Sequence, residues 1–352
     1  MSNAKTTQAN FFEDFRCGQQ FTHATPRTVT SGDVALYTGL YGSRFAVQSA
    51  DTFAQAIGYP QSPIDDLLVF HIVFGKTVPD ISLNAVANLG YADCRFLAPV
   101  YPGDTLTADS EVLGLKENSN RETGVVHVRS IGRNQRGEVV LSYVRWVMVH
   151  KRSKATTIAQ SPAPALPGRI DPLDLGRAVP PLDVQRWDSE RGGSTYRWVD
   201  YSASERIDHV DGTTIEEAEH QIATRLYQNT AKVHFNQHTE GQGRFGRRLI
   251  YGGVIISIAR ALSFNGLGSA FHIAAINGGR HVAPAFAGDT IYAWSEILET
   301  AALPSRQDIG ALRIRTIATK NLSCAGFPGS KDGGGYADGV VLDLDYWVVS
   351  PR

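Results

Sequence analysis

One segment of the sequence places a histidine close to a glycine-rich helix start. His234 follows a predicted short helix that ends near Asn229, and it precedes a second predicted helix that opens at Gly252–Gly253. Histidine can transfer protons near neutral pH, and the free N–H groups of a helix N-terminus can stabilise a developing oxyanion. The segment therefore predicts an enzyme site with His234 on a loop. The alternative is a surface histidine beside a capped helix.

Three arginines immediately precede the second helix and are candidates to bind an anionic substrate. They are Arg244, Arg247 and Arg248. Arginine binds phosphates and carboxylates through paired donors. For any one of them, ordinary solvated surface charge is the alternative.

Composition excludes several classes of protein. A net charge of −1 gives no electrostatic case for binding nucleic acid or an anionic membrane. The sequence contains no apolar run near the roughly 20 residues of a membrane span, and the polar N-terminus lacks the apolar region of a secretion signal. Cys17, Cys94 and Cys324 have no paired spacing, which indicates a reducing compartment and no zinc site. We expect a cytoplasmic protein.

The elements that must position these residues begin with two helices. A helix is predicted from Asp33 to Tyr41, capped by Thr30 or Ser31. A second, apolar nearly all round and therefore buried, is predicted from Asp66 to Gly75. Strands follow, and they are predicted at Ala85–Phe96, Thr105–Leu115, Val125–Arg133 and Val139–His150. The first unit, residues 1–155, thus combines a buried helix with an antiparallel sheet.

A proline-rich stretch separates this unit from the next. Residues 161–181 contain six prolines, and proline restricts the backbone and removes hydrogen-bond donors. We therefore interpret residues 156–194 as an extended linker that runs over a surface.

The second unit, residues 195–352, repeats the first. The pattern APxxxGDT occurs at Ala98–Thr105 and again, 185 residues later, at Ala283–Thr290. Tyr41 matches Tyr227 at a spacing of 186 residues. We predict an α+β fold of two tandem copies, each a central helix wrapped by an antiparallel sheet. Because sheet edges need cover, we expect the two sheets to join edge to edge with both helices on one side.

A family resemblance follows from these patterns and covers nearly the whole chain. Residues 12–15 (FEDF), 18–21 (GQQF) and 27–30 (RTVT), with the tandem APxxxGDT, resemble the MaoC-like dehydratases. The resemblance implies a double hot-dog fold and a hydro-lyase acting on a CoA thioester. The segments 62–75 and 244–253 most resemble the branch of that family that hydrates mesaconyl-CoA.

The resemblance also implies roles for individual residues. The family has a hydratase loop of the form GDxNPxH, and residues 228–234 align with it when His234 takes the histidine position. His234 is then the general base. Asn229 stands where the family has aspartate, so it can hold water but cannot accept a proton. Asp65 and Asp66 are candidates for the missing carboxylate, with helix capping as the alternative.

Gly252 aligns with the point where the loop meets the central helix, and its N–H is expected to hold the thioester oxygen. Tyr251, in place of the usual histidine, either donates a hydrogen bond or lines the pocket. In the first copy, Ser43 and Gln48 occupy the aspartate and histidine positions, so that copy becomes a substrate-binding scaffold. Arg44 on its loop is a candidate to bind a substrate carboxylate.

The activity implied is the reversible hydration of mesaconyl-CoA (2-methylfumaryl-CoA) to β-methylmalyl-CoA. The CoA thioester is the substrate, no metal or redox cofactor is required, and we expect a homo-oligomer. Because two close carboxylates repel, Asn229 suits a dicarboxylic substrate. The alternatives are an (R)-specific hydratase of fatty enoyl-CoA, a hot-dog thioesterase, or a non-catalytic acyl-CoA-binding protein.

Overall fold

The structure is a computed structural model that describes residues 5–331 and 333–352. The first four residues of the predicted first unit, and residue 332 in the second, lie outside this range. The strands are β1 Gln20–Thr28, β2 Ala85–Phe96, β3 Thr105–Glu117, β4 Thr123–Arg133, β5 Val139–His150, β6 Arg206–Thr214, β7 His272–His281, β8 Thr290–Ala302, β9 Ile309–Lys320 and β10 Val340–Pro351. They form one antiparallel sheet in the order β1-β3-β4-β5-β2-β7-β10-β9-β8-β6. Each half of this order is one copy of the predicted repeat.

The helices lie between the strands of each copy. They are α1 Ser31–Tyr41, α2 Ala46–Ser49, α3 Asp51–Ala56, α4 Asp66–Thr77, α5 Glu217–Leu226, α6 Lys232–Phe235, α7 Gln237–Glu240, α8 Gly252–Leu262 and α9 Phe264–Leu267. The predicted helices α1 and α4 are confirmed within two residues at each end. A π-helical turn, Val78–Ser82, continues α4. In the described part of the chain, no helix combines the length and the apolar character needed to cross a membrane.

The two copies are joined through β2 and β7. Tyr91 of β2 pairs with Gly279 of β7, and Arg95 pairs with Ala275. The prediction of edge-to-edge sheets is therefore confirmed. The central helices α4 and α8 also touch, since Nε2 of His71 lies 2.9 Å from Oγ of Ser257. Both helices contribute to one continuous hydrophobic core.

The same buried hydrogen bond occurs in both copies. Nε2 of His23 on β1 lies 2.7 Å from Oγ of Ser110 on β3. In the second copy, Nε2 of His209 on β6 lies 2.8 Å from Oγ of Ser295 on β8. The two pairs are 186 and 185 residues apart, which is the spacing of the sequence repeat. The repeat therefore extends to individual side-chain contacts.

The repeat-equivalent tyrosines Tyr41 and Tyr227 meet each other. Their hydroxyl oxygens lie 2.8 Å apart, and both side chains are buried. Equivalent residues of two related copies can touch only near the axis that relates them. This pair therefore marks the approximate two-fold axis at the centre of the core.

The linker lies against the second unit. It has no strand and only two single turns, at Pro172–Asp174 and Val184–Arg186. Its apolar side chains are buried in a cluster that also contains Phe271 and Trp347, and they are Ile170, Leu175, Val179, Leu182 and Trp187. The prolines keep the backbone extended, and these side chains fix it to the protein surface as part of a second core.

Candidate active site

A cavity of about 320 Å³ lies between the two copies. It is lined by β2 and β5 of the first copy, and by α6, the start of α8 and the end of β7 of the second. Among the predicted site residues, the cavity brings together Asn229, His234, Arg244, Tyr251 and Gly252. The segment that the sequence singled out therefore forms one wall of a cavity large enough for a small acyl group.

His234 lies on the short helix α6, and the prediction of a loop at this position is wrong. Its Nδ1 lies 3.0 Å from the carbonyl oxygen of Leu249. A carbonyl oxygen can only accept a hydrogen bond, so Nδ1 carries the proton and Nε2 keeps its lone pair. The fold thus fixes the tautomer in which Nε2 can accept a proton.

Burial keeps the imidazole of His234 neutral. Desolvation lowers the pKa of His234 to about 4, and the hydrogen bond to Leu249 offsets this only in part. At neutral pH the ring is therefore in its basic form. Since the cavity is largely apolar, the base is present without a charge that would need solvation.

Asn229 is buried at the cavity, close to the N-terminus of α6. Its Oδ1 accepts a hydrogen bond from the N–H of Ala231 at 3.4 Å. Its Nδ2 has no acceptor among the described residues. The amide N–H groups therefore remain able to hold a water molecule or a substrate oxygen.

Within the described ranges, no aspartate or glutamate lines the cavity. Asp65 caps α4 by accepting a hydrogen bond from the N–H of Leu67 at 2.9 Å. Asp66 accepts from the N–H of Ile273 at 2.8 Å and lies 2.9 Å from Nδ1 of His272. The structure therefore places both carboxylates in structural contacts, and neither replaces the aspartate of the family loop.

Gly252 begins α8 and lines the cavity. The first N–H groups of a helix have no intrahelical acceptor, so the Gly252 N–H can donate to a substrate oxygen. The imidazole of His281 packs against this residue so closely that a Cβ on Gly252 would lie 2.2 Å from its Cε1. The glycine is required because this ring occupies the place of a side chain.

His281, which carries no spacing signal in the sequence, is a cavity residue. It ends β7, and its Nε2 lies 3.3 Å from the hydroxyl of Tyr91. Burial and the neighbouring His234 lower the pKa of His281 to about 4. Its position directly before the second APxxxGDT block was the one available signal.

Tyr251 lines the cavity and is held by two histidines. Its backbone N–H donates to Nε2 of His220 on α5 at 3.0 Å, and its hydroxyl lies 3.3 Å from Nδ1 of His71. Burial lowers the pKa of His71 to about 3, so this ring stays neutral in the core, as the apolar helix around it predicts. These contacts fix the start of α8, and with it the Gly252 N–H.

The four candidate arginines occupy different places. Arg244 is exposed at the cavity, and Arg247 stacks 3.9 Å from the ring centroid of Phe286 beside it. Arg248 is paired with Glu217 and also bonds to Gln221. The structure does not bring Arg44 to the cavity.

Arg44 lies in a separate surface groove. This groove is shared with Glu190 and Phe264, and Arg44 is exposed there. The expectation that Arg44 faces the substrate pocket is therefore wrong. The repeat places the loop of Arg44 at the first copy's own site, away from the cavity formed by the second copy.

The counterpart of the site in the first copy is filled. The amide of Gln48, at the histidine position, donates to the carbonyl of Phe271 at 2.8 Å. Ser43, at the aspartate position, lines a void of only about 10 Å³. Only the second copy's loop therefore faces a cavity large enough for an acyl group.

A sequence model of the mesaconyl-CoA hydratase family matches residues 2–331. The chain belongs to the mesaconyl-CoA hydratase family. It is 61% identical over 351 residues to a β-methylmalyl-CoA dehydratase from Chloroflexus aurantiacus, covering 99% of both chains. It is 54% identical over 352 residues to a mesaconyl-CoA hydratase from Cereibacter sphaeroides, covering 99% of this chain and all of the relative. Family members are thus named for both directions of one reaction.

Solved structures agree with this membership. A crystal structure of a MaoC domain protein from Chloroflexus aurantiacus J-10-fl has a TM-score of 0.96, 61% identity and 99% coverage of both chains. A Mycobacterium tuberculosis protein with a double hotdog fold has a TM-score of 0.75 at 23% identity, covering 98% of this chain and 99% of that one. The α+β double hot-dog fold and the MaoC-like resemblance are therefore confirmed.

Proposed function

We propose that this protein is a hydro-lyase that reversibly adds water to mesaconyl-CoA and forms β-methylmalyl-CoA. The observation that carries the proposal is the pairing of a neutral His234 with the free Gly252 N–H in one cavity. A base and an oxyanion donor are what water addition to an enoyl thioester needs. The names of the two relatives supply the substrate.

The reaction follows from the positions of these groups. The Gly252 N–H at the positive end of α8 polarises the thioester carbonyl, which makes the β-carbon electrophilic. Nε2 of His234 takes a proton from water as the hydroxide oxygen bonds to the β-carbon. The electrons of the double bond move to the thioester oxygen as an enolate. His234 then returns the proton to the α-carbon, and dehydration reverses these steps.

Asn229 is proposed to orient the water, since its amide N–H groups have no protein acceptor. The residue cannot itself remove a proton. His281, across Gly252 from the helix, fixes the shape of the cavity near the oxyanion donor. His234 is therefore the single proton carrier in the proposed mechanism.

The CoA moiety is proposed to lie across the cavity mouth at Arg244 and Arg247. Both side chains are exposed, stack on Phe245 and Phe286, and have no carboxylate within 4.0 Å in the described part of the chain. Arginines held this way can bind phosphates. Arg248, paired with Glu217, is proposed to fix the loop that carries them.

Three further proposals rest on sequence and chemistry. The steps above need no metal or redox cofactor. The polar N-terminus and unpaired cysteines support a cytoplasmic location. We also propose a homo-oligomer, and sedimentation of the full chain at several concentrations would test it, with a monomer at every concentration as the contrary result.

The experiment that tests the function follows the loss of enoyl-thioester absorbance when the protein is mixed with mesaconyl-CoA, and in parallel with crotonyl-CoA. We expect hydration of mesaconyl-CoA, with a product mass increased by one water. A preference for crotonyl-CoA would favour a fatty enoyl-CoA hydratase, and release of free CoA would favour a thioesterase. Binding of both without turnover would indicate a non-catalytic acyl-CoA-binding protein.

A further inference from the structure

Arg145 is a completely buried arginine that lines the His234 cavity. It lies on β5 of the first copy, and none of its surface is exposed. Within residues 5–331 and 333–352, no carboxylate lies within 4.0 Å of its guanidinium. Buried charges in proteins are nearly always paired. A buried guanidinium beside a cavity, with no protein carboxylate, therefore calls for an anionic ligand.

The groups that hold Arg145 are all neutral. Its Nη2 donates to Oγ1 of Thr77 at 2.8 Å, and its Nη1 donates to Oγ of Ser82 at 3.3 Å. The guanidinium carbon lies 4.2 Å from the ring centroid of Phe74, and its Nε has no acceptor among the described residues. The side chain is fixed in place while its charge and part of its donor capacity remain uncompensated.

Elsewhere the chain supplies carboxylates to its arginines. Arg313 forms two hydrogen bonds with Asp345, and Arg315 forms two with Asp343. Such bidentate pairs satisfy both the charge and the planar geometry of arginine. The contrast shows that Arg145 differs from the structural arginines of the same sheet.

Arg260 is the matching buried arginine of the other half. It stacks 3.7 Å from the ring centroid of Phe45, and the charges of Asp65 and Asp66 act on it. For Arg145, the neighbouring ionisable groups that favour its charge are tyrosines, with Tyr143 and Tyr91 first. Desolvation lowers the pKa of the Arg145 guanidinium. Only Arg145, which lines the cavity, thus lacks a nearby acid.

Arg145 lies on the same wall of the cavity as the proposed base. The ring of Phe74, on which it stacks, lies 5.6 Å from the ring of Tyr251, and that ring lies 5.5 Å from the ring of His234. The acyl group of mesaconyl-CoA carries its carboxylate on the β-carbon, the atom that water attacks. Holding that carboxylate therefore also positions the reacting carbon.

Resting on the proposed function, we propose that Arg145 binds the free carboxylate of the substrate and so selects dicarboxylic enoyl-CoA thioesters. The role that the sequence suggested for Arg44 then belongs to a residue of β5 in the same copy. Thr77 and Ser82 act as positioning residues for its guanidinium. Asn229 fits this arrangement, because an aspartate there would place a second negative charge in the cavity.

The test compares two substrates that differ in one group. 2-Methylcrotonyl-CoA is mesaconyl-CoA with a methyl in place of the carboxylate. We expect Arg145→Met to lower kcat/KM for mesaconyl-CoA by about a hundredfold, the scale of losing a buried charge partner. The same change should alter kcat/KM for 2-methylcrotonyl-CoA by less than about threefold. Equal losses on both substrates would overturn the assignment.

A matched control separates recognition from folding. Arg260→Met removes the other buried, ring-stacked arginine, which lies outside the cavity, and it should leave the substrate ratio unchanged. If Arg145→Met fails to fold, Arg145→Lys serves instead, because it keeps the charge and loses the paired donors. That variant should still lower the preference for mesaconyl-CoA by about tenfold, and an unchanged preference would refute the role of Arg145.

A binding measurement separates this proposal from the proposed function. 2-Methylsuccinyl-CoA and 2-methylbutyryl-CoA are the saturated, unreactive counterparts of the two substrates. Titration calorimetry should show tighter binding of 2-methylsuccinyl-CoA to the wild type, and Arg145→Met should abolish the difference. That result without any hydration of mesaconyl-CoA would reject the function and retain the carboxylate site. Equal affinities in the wild type would reject the site.

Discussion

The imidazole of His281 occupies the space where Gly252 has no side chain. A Cβ on Gly252 would lie 2.2 Å from Cε1 of that ring, and the two residues lie on different elements, β7 and the start of α8. The proposed oxyanion donor is thus positioned by a contact that only glycine permits. A methyl group at this position must displace either the ring or the helix start.

Gly252→Ala is therefore expected to lower kcat/KM for hydration by about tenfold or more, since small displacements of a donor reduce catalysis strongly. Alanine favours a helix more than glycine does, so helix propensity cannot explain a loss. Steady-state kinetics and thermal unfolding would measure both effects. Full activity in the variant would contradict the assigned donor.

The control for this prediction is Gly39→Ala on α1, where an added Cβ meets no atom within 4 Å. It should retain full activity. The double variant Gly252→Ala, His281→Ala removes the clashing ring, and its loss should be smaller than the sum of the two single losses.

The pH dependence of activity provides a second prediction. Burial lowers the pKa of His234 to about 4, and the neutral ring is the active base. The rate should therefore stay level from about pH 8 to about pH 6 and fall only as pH approaches 4. A midpoint near 6.5, the value of an exposed histidine, would show that the ring is not buried in the working enzyme.

Stability should also fall on acidification. Burial lowers the pKa of five histidines to about 3 or about 4, and they are His71, His209, His220, His234 and His281. Below about pH 6.5 the unfolded chain binds protons that the folded chain does not. Each such histidine lowers the free energy of unfolding by about 1.4 kcal/mol per pH unit between 6.5 and its folded pKa.

Asp65 acts in the opposite direction, because burial and Asp66 raise its pKa to about 6. The folded state then binds a proton that the unfolded state releases, which offsets one histidine. Urea unfolding at pH 7.5, 6.0 and 5.0 would measure the net slope. His71→Asn, which retains the size and polarity of the side chain, should reduce that slope, and a slope of zero in the wild type would contradict the neutral buried histidines.

Much of the fold was predictable because it is written twice. The APxxxGDT blocks and the spacing of Tyr41 and Tyr227 predict two copies, and periodicity predicts α4 and the strands of the first copy. The joining of β2 to β7 follows from the need to cover sheet edges. The packed linker did not follow from its prolines, since apolar side chains in an irregular segment carry no periodic signal.

The candidate site was predictable only where it lies on continuous sequence. His234, Asn229 and Gly252 belong to one segment, and the structure brings them together. Arg145 and His281 come from β5 and β7, distant in sequence, and the pairing of strands brings them to the cavity. A charged residue within an apolar strand was the signal for Arg145, while the repeat directed attention to Arg44.

The substitution of Asn229 gives a prediction about substrate charge. Asn229→Asp would restore the family's carboxylate in a cavity that has none among the described residues. We expect it to impair mesaconyl-CoA more than crotonyl-CoA, because two nearby carboxylates repel. Asn229→Ala is the control, since it removes the water-holding amide without adding charge and should impair both substrates. Equal losses with Asn229→Asp would make Asn229 a positioning residue only.

The central claim is that the neutral imidazole of His234 adds water to mesaconyl-CoA. The most direct measurement is kcat/KM for mesaconyl-CoA hydration by the wild type and by His234→Gln, which retains a polar side chain but cannot accept the proton. We predict rapid hydration by the wild type and a loss of about a hundredfold or more in the variant, with both proteins equally folded. A wild type that leaves mesaconyl-CoA unchanged, or a variant that hydrates it at the wild-type rate, would contradict the claim.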